Sequence, residues 1–191
     1  MKRATLPFRA TDGDGRYLTR DGVLGEESDA VTFTLHRSPL VRERHHIDRR
    51  IHDLAGGLEA WLDLQEGIVL SRRRVNDEIA AQADDDDDTT AKTPEDRRRS
   101  DAELEIAWGN VNPKLRAGLI EMLAMTRRLE WMASWAVLFV SAEDASGPLA
   151  DWNDVAELPL SPEAMDVLWA ANDAAREESD QATGKTPPSA S

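Results

Sequence analysis

Apolar and polar residues alternate strictly over Val31-Thr32-Phe33-Thr34-Leu35. Val31, Phe33 and Leu35 therefore share one face and the two threonines the other, which is the pattern of a half-buried strand. Two shorter runs upstream, "ATLPF" and "RYLT", are strand candidates. They are punctuated by "DGDG" and "DG", the chemistry of hairpin turns. Residues 1–36 are expected to form a β-rich segment.

The period then changes. Ser38-Pro39 should stop the strand and open a helix, Ser38 as cap and Pro39 in the first turn, where its missing N–H costs nothing. That helix should run to about Ala55 and end at Gly56-Gly57. A second helix is predicted over 58–82, with Leu58, Trp61, Leu62, Ile68, Val75 and Ile79 near helical spacing. Residues 37–82 thus read as a helical hairpin. Residues 83–101, "ADDDDDTTAKTPEDRRRSD", carry no apolar periodicity and five consecutive aspartates, so a solvated, disordered acidic insertion is expected. Helical signal resumes at "AELEIAW". Asn112-Pro113 opens a long helix whose Leu115, Leu119, Met122, Leu129, Met132, Trp135 and Phe139 recur at helical intervals, carrying it through "WAVLFV". Gly147-Pro148 breaks the pattern, and Ser161-Pro162 opens a last helix with Met165, Leu168, Trp169 and Asn172 on one stripe. Residues 102–179 are read as the C-terminal helical part of the same domain and 180–191 as a flexible tail. The expected class is mainly α, of the α+β type: an N-terminal β-hairpin or short strands, then a packed bundle of about four to five helices.

Charge changes the picture. The net charge is −14, spread unevenly: thirteen basic residues face fourteen acidic ones up to residue 83, and ten face twenty-three beyond it. An acidic chain lacks the phosphate attraction of nucleic-acid binders and is repelled by anionic membranes. No apolar run approaches the roughly 18 residues of a membrane span, and "MKRATLPFRATDGDG" lacks the apolar core of a signal peptide. With no cysteine, disulfides and thiolate chemistry are excluded. A cytoplasmic protein that binds neither nucleic acid nor membrane is expected.

Candidate chemistry centres on "VTFTLHRSPLVRERHHIDRRIH", which holds all four histidines. On a helical wheel with His45 at zero, His52 falls at about 340° and Asp48 at about 300°, while Leu40, Ile47, Ile51, Leu54 and Leu58 cluster at about 180–240°. His45 and His52 should face water, about 10 Å apart along the axis, where a zinc pair needs ligands one turn apart. No metal site is expected. Arg42, Arg44, Arg49 and Arg50 make the same helix basic. "ATDGDGRYLTRD" echoes a calcium loop, but Ala10 stands at the first ligand position, so a hairpin turn is the better reading. No nucleophile elbow, phosphate loop or dinucleotide fingerprint is present, and neither catalysis nor a cofactor is expected. Six tryptophans are many for this length. Most such residues build core, and any at the surface anchor interfaces. The candidate partner-binding residues are Arg42, Arg49, Trp131, Trp135, Trp152 and Trp169.

The order of parts resembles a known family. "FTLHRSP" leads into a charged helix. A tryptophan-bearing helix with Trp135 follows, then Pro148 to Trp152, then the closing "VLWAANDAAREE". Over about residues 28–178 this is similar to the tail-assembly chaperones of long-tailed, siphovirus-like bacteriophages and prophages. The 83–101 insertion departs from that compact pattern. The resemblance implies a non-enzymatic protein of the bacterial host cytoplasm that keeps the helical tape-measure protein soluble until tail-tube protein displaces it. It also implies absence from the mature virion, and a minority of chains that shift reading frame near Gly184-Lys185. Self-association is a further expectation. A structural or adaptor component of a phage virion, and a metal-dependent enzyme using His45, His46 and His52, are the rival classes.

Overall fold

The computed structural model describes residues 3–84 and 108–182. The molecule is mainly α, of the α+β type. It divides into two compact units, Met1–Ile51 with Glu130–Ser191, and His52–Leu129. The acidic stretch from residue 85, "AELEIAW" up to residue 107 and the tail from residue 183 lie outside the described residues.

The first unit is built on a four-stranded antiparallel sheet. Its strands are β1 (Thr5–Arg9), β4 (Thr32–His36), β5 (Phe139–Asp144) and β6 (Gly147–Pro148), in that order. A separate ribbon pairs β2 (Tyr17–Leu18) with β3 (Leu24–Gly25). The predicted alternation holds in β4 and the residue before it: Val31, Phe33 and Leu35 are fully buried. Phe33 stands opposite Phe8 of β1 and Ala142 of β5, so the central strand is held on both sides. The turn expected at "DGDG" is present. The Asp12 carboxylate accepts from the backbone N–H groups of Asp14 at 3.0 Å and Arg16 at 2.8 Å, and Gly15 supplies the positive φ, 79°.

β5 corrects the sequence reading. "WAVLFV" was expected to finish a helix, yet the helix Pro113–Leu138 (α3) stops at Leu138 and Phe139 begins a strand at once. Trp135 and Phe139 fit helical spacing, but Phe139 and Val140 also suit a pleated surface. The open edge of β4 supplies the ladder that settles the competition.

Two tryptophans from the end of α3 form the centre of this core. Trp135 lies 5.6 Å from Phe33, 6.3 Å from Phe8 and 5.7 Å from Trp131, ring centre to ring centre. Its indole N–H donates to the carbonyl of Trp152 at 2.8 Å. The last helix, α4 (Pro162–Ala182), packs on β1 and β2. Ser161 caps it as predicted, its hydroxyl accepting from the Ala164 N–H at 3.1 Å. On its stripe Asn172 is fully buried, its amide oxygen accepting from Trp131 Nε1 at 3.1 Å and Arg176 Nε at 3.3 Å. A buried amide is tolerated because it is paired.

The second unit is a helix pair. Gly56 (φ 92°) and Gly57 (φ 117°) end the helix α1 (Arg44–Leu54), and α2 (Leu58–Asp84) follows. Ile68 and Val75 of α2 pack with Val111 and with Leu119 of α3, flanked by Leu64, Ile79, Trp108, Leu115, Met122 and Leu123. Gly67 permits a close approach, since a Cβ there would lie 3.2 Å from the Met122 sulfur. Asn112 caps α3 as predicted, its side-chain oxygen accepting from the Lys114 N–H at 3.0 Å.

Candidate functional site

α1 starts later than Ser38-Pro39 suggests. A single 3-10 turn, Val41–Glu43, precedes Arg44. The Glu43 carboxylate caps it by accepting from the Leu40 N–H at 2.8 Å, and the Arg3 guanidinium grips the same carboxylate at 3.0 and 2.8 Å. The Leu40 N–H first, and Arg3 after it, hold the Glu43 carboxyl below the usual carboxylate range. Ser38 does not cap. Its carbonyl accepts from Arg3 instead.

Ile47 and Ile51 are buried as predicted, whereas Leu40 and Leu58, expected on the same stripe, are 40 and 54% exposed, and Leu54 is half-buried. His45 and His46 are exposed, their rings 4.0 Å apart. His52 differs from expectation: it is half-buried, with Trp61 at 6.4 Å, because the turn at Gly56-Gly57 brings the first turn of α2 beside it. Among the described residues no group of three or more histidine, aspartate or glutamate side chains could hold a metal. Arg50 pairs with Asp154 and is not part of an open basic face. Arg42, Arg44 and Arg49 are exposed and form no ion pair with a described residue.

Of the other candidate partner residues, Trp131, Trp135 and Trp152 are 7, 1 and 4% exposed. They offer no surface to a partner, because their rings are spent on one another and on Phe33. Trp169 is half-buried and stacks on Trp131 at 6.1 Å with only 19° between the planes.

A surface that the periodicity misassigned lies on α2. Leu58, Leu62 and Val69 are 54, 55 and 64% exposed. They fall within about 40° of one another on the helix, while the buried Ile68 and Val75 lie roughly 100–120° round from them. α2 therefore carries two apolar stripes, one inside its unit and one outside. Gln65, in line with the outer stripe, is half-buried. Glu59 and Glu66 flank the stripe on its exposed side, and Arg73 continues their row one heptad further on.

No protein-family model, curated protein or solved structure matches the chain.

Two clefts open on the surface of the first unit. One, of about 640 Å³, is bordered by Arg20, Asp21, Asp151, Asn153 and Glu157. Arg20 there is already paired with Asp144 at 2.9 Å. The other, of about 630 Å³, is bordered by Asp12, Glu163 and Asp166. Asp12 is held by Arg16 at 2.7 Å, and the backbone N–H of Arg16, more than any other group, lowers its pKa. No histidine borders either cleft, and the titratable groups that do are carboxylates and Arg20. Among the described residues no helix is long and apolar enough to cross a membrane.

Proposed function

We propose that the chain is a non-enzymatic tail-assembly chaperone of the long-tailed phage type, and that it holds the helical tape-measure protein along the outer face of α2. The observation that carries the reading is the second apolar stripe, Leu58, Leu62 and Val69, left bare on a helix whose other stripe is already buried. An exposed apolar line at four- and seven-residue spacing is what an amphipathic helix packs against. The motif resemblance over residues 28–178 names the partner. The net charge of −14 supports the role, since like-charged complexes repel and stay dispersed.

The strength of the hold fits a temporary one. Burying three half-exposed aliphatic side chains is worth about 3 kcal/mol per copy. A long partner would be covered by many weak contacts, each easily displaced by tail-tube protein.

Co-expression with the tape-measure protein of the same phage or prophage tests this. Wild-type chain should move that protein into the soluble fraction. L62E/V69E should not, while keeping its own unfolding free energy within about 0.5 kcal/mol, as surface substitutions do. If the tape-measure protein is as insoluble with the wild-type chain as without it, the reading is wrong. Stoichiometric retention of the chain in purified virions would favour the adaptor reading instead.

A further inference from the structure

We infer that the helix held along the outer stripe of α2 is charge-polarised, with lysine or arginine beside Leu58 and Leu62 and an acidic end just beyond Val69. The inference rests on the reading of that stripe as a helix-docking face, and it adds the chemistry of the docked helix.

The charges along the stripe are sorted by sign. Glu59, Asp63 and Glu66 accompany its start, all exposed and all on one flank. With Leu58 at zero on the helical wheel, the stripe centres at about 20°, Glu66 at about 80°, Glu59 at about 100° and Asp63 at about 140°. The far end is basic. Arg73 at about 60° and Arg72 at about 320° straddle the line one turn past Val69, and both are exposed. Asp77 lies about 40° further round than Arg73. None of Glu59, Asp63, Glu66, Arg72 and Arg73 forms an ion pair with a described residue. From Glu59 to Arg73 the face is about 21 Å long, acidic at one end and basic at the other. A helix packed on the apolar line brings its own flanking charges against these groups, and like charges there repel. The complementary helix therefore carries cations where it passes Glu59 and Glu66, and acids where it passes Arg72 and Arg73. A helix with acids in its first turns and bases in its last, the order that its dipole favours, lies antiparallel to α2.

A second copy of α2 has that charge order but fits less well. Antiparallel pairing that sets Leu58 beside Val69 of the copy also sets Glu59 beside Glu66 of the copy, like against like. Sliding the copy until its Arg73 reaches Glu59 carries Leu58 and Leu62 to the level of its Asn76 and Arg72. One sequence cannot match both the apolar line and the charges, so the occupant is a different helix.

Synthetic peptides of about three heptads, with leucine at each a and d position and equal numbers of glutamate and lysine, test this. One has its glutamates in the N-terminal half and its lysines in the C-terminal half, and another reverses that order. Each bears a nitroxide at its N-terminus, and the amide resonances of the isotope-labelled full chain are read at an ionic strength of about 50 mM. The first peptide should broaden residues 72–80 and the second residues 58–63, because in both the acidic end seeks Arg72 and Arg73. A third peptide of the same composition, with lysine and glutamate alternating, should bind about tenfold more weakly, and the difference should fade at about 500 mM. E59K/E66K/R72E/R73E keeps the net charge and should exchange the two broadening patterns. L62E/V69E should bind none of the peptides. Both ordered peptides broadening the same end, equal affinity for the alternating peptide, or a wild-type chain that binds no peptide would overturn the inference. So would self-association of the free chain that L62E/V69E abolishes, since the stripe would then belong to a second copy. If the fourfold variant does not fold, the two ordered peptides on the wild-type chain decide alone. Peptides that dock in the expected directions while the tape-measure protein stays insoluble would strike the chaperone reading and leave the docking chemistry standing. A solubilised tape-measure protein with peptides that dock in either direction would strike this inference alone.

Discussion

The two units treat their apolar residues differently. In the first, thirteen buried side chains form one cluster that joins the sheet to α3 and α4, with Phe33, Trp131, Trp135 and Trp152 in mutual contact. In the second, four buried side chains among the described residues form the cluster, while Leu58, Leu62, Val69, Leu70, Ile120 and Met125 stand about half exposed or more. Among the described residues the first unit spends most of its hydrophobic surface on folding, with Val23, Leu40, Val41 and Val140 left exposed. The second keeps much of its own available, which costs stability and leaves a surface that can bind. A binding reading therefore belongs on the helix pair and not among the tryptophans.

The sharpest way to break the comparison is to remove one side chain from each core. Phe33→Ala in the first unit should cost about 3–5 kcal/mol in denaturant unfolding, because Phe33 touches three aromatic neighbours that cannot close over the cavity. Leu119→Ala in the second should cost about 2–3 kcal/mol, at the low end for its type, since a small core relaxes. Equal losses would mean that the units are equally well packed.

A smaller effect comes from the two helix caps. Ser161→Ala removes the bond to the Ala164 N–H in the first unit, and Asn112→Ala removes the bond to the Lys114 N–H in the second. Each should cost about 1 kcal/mol. Amide hydrogen exchange would show where the cost falls: over 162–182 in one variant and over 113–129 in the other.

Acid sharpens the comparison least but most specifically. The Leu40 N–H holds the Glu43 carboxyl, and the Arg16 N–H the Asp12 carboxyl, below the usual carboxylate range, and both lie in the first unit. A lowered folded pKa means that the unfolded chain binds the proton more readily. The stabilisation is therefore complete above the ordinary carboxylate pKa and disappears as pH falls through the lower, folded one. Glu43→Gln should make the acid limb of a stability–pH curve shallower and leave its neutral plateau otherwise parallel to that of the wild type. An unchanged acid limb would show that Arg3 and the Leu40 N–H do not act on a charged carboxylate.

Much of this was legible in the sequence wherever one local rule acted alone. The alternation of Val31, Phe33 and Leu35, the caps at Asn112 and Ser161, and the stop at Gly56-Gly57 each depend on the chain within a few residues. What escaped depends on distant partners. Phe139 is a strand residue because β4 is there to pair with it. Ser38 loses its capping role because the first turn begins only at Val41, beyond reach of its hydroxyl, and the Glu43 carboxylate takes the Leu40 N–H instead. Leu58 and Leu62 fit the period of the buried stripe of α2 loosely enough to be counted with it, and only the packing of Ile68 and Val75 shows that they belong to another face. Periodicity reports that a helix has apolar residues, but not how many faces they make.

The pairing of β4 with β5 also sets an order of events at the ribosome. Thr34 and Ser141 are neighbours in the sheet, separated by about a hundred residues of chain, and at roughly 5–20 residues per second the second strand is synthesised about 5–20 seconds after the first. During that interval β1 and β4 can form a hairpin with one edge unclaimed, an invitation to wrong partners. Residues 52–129, by contrast, emerge as one uninterrupted piece that makes up a compact unit, so the helix pair can form before the sheet is whole. The less well-packed unit is then the earlier to mature, and the tightly packed one waits for its last strands.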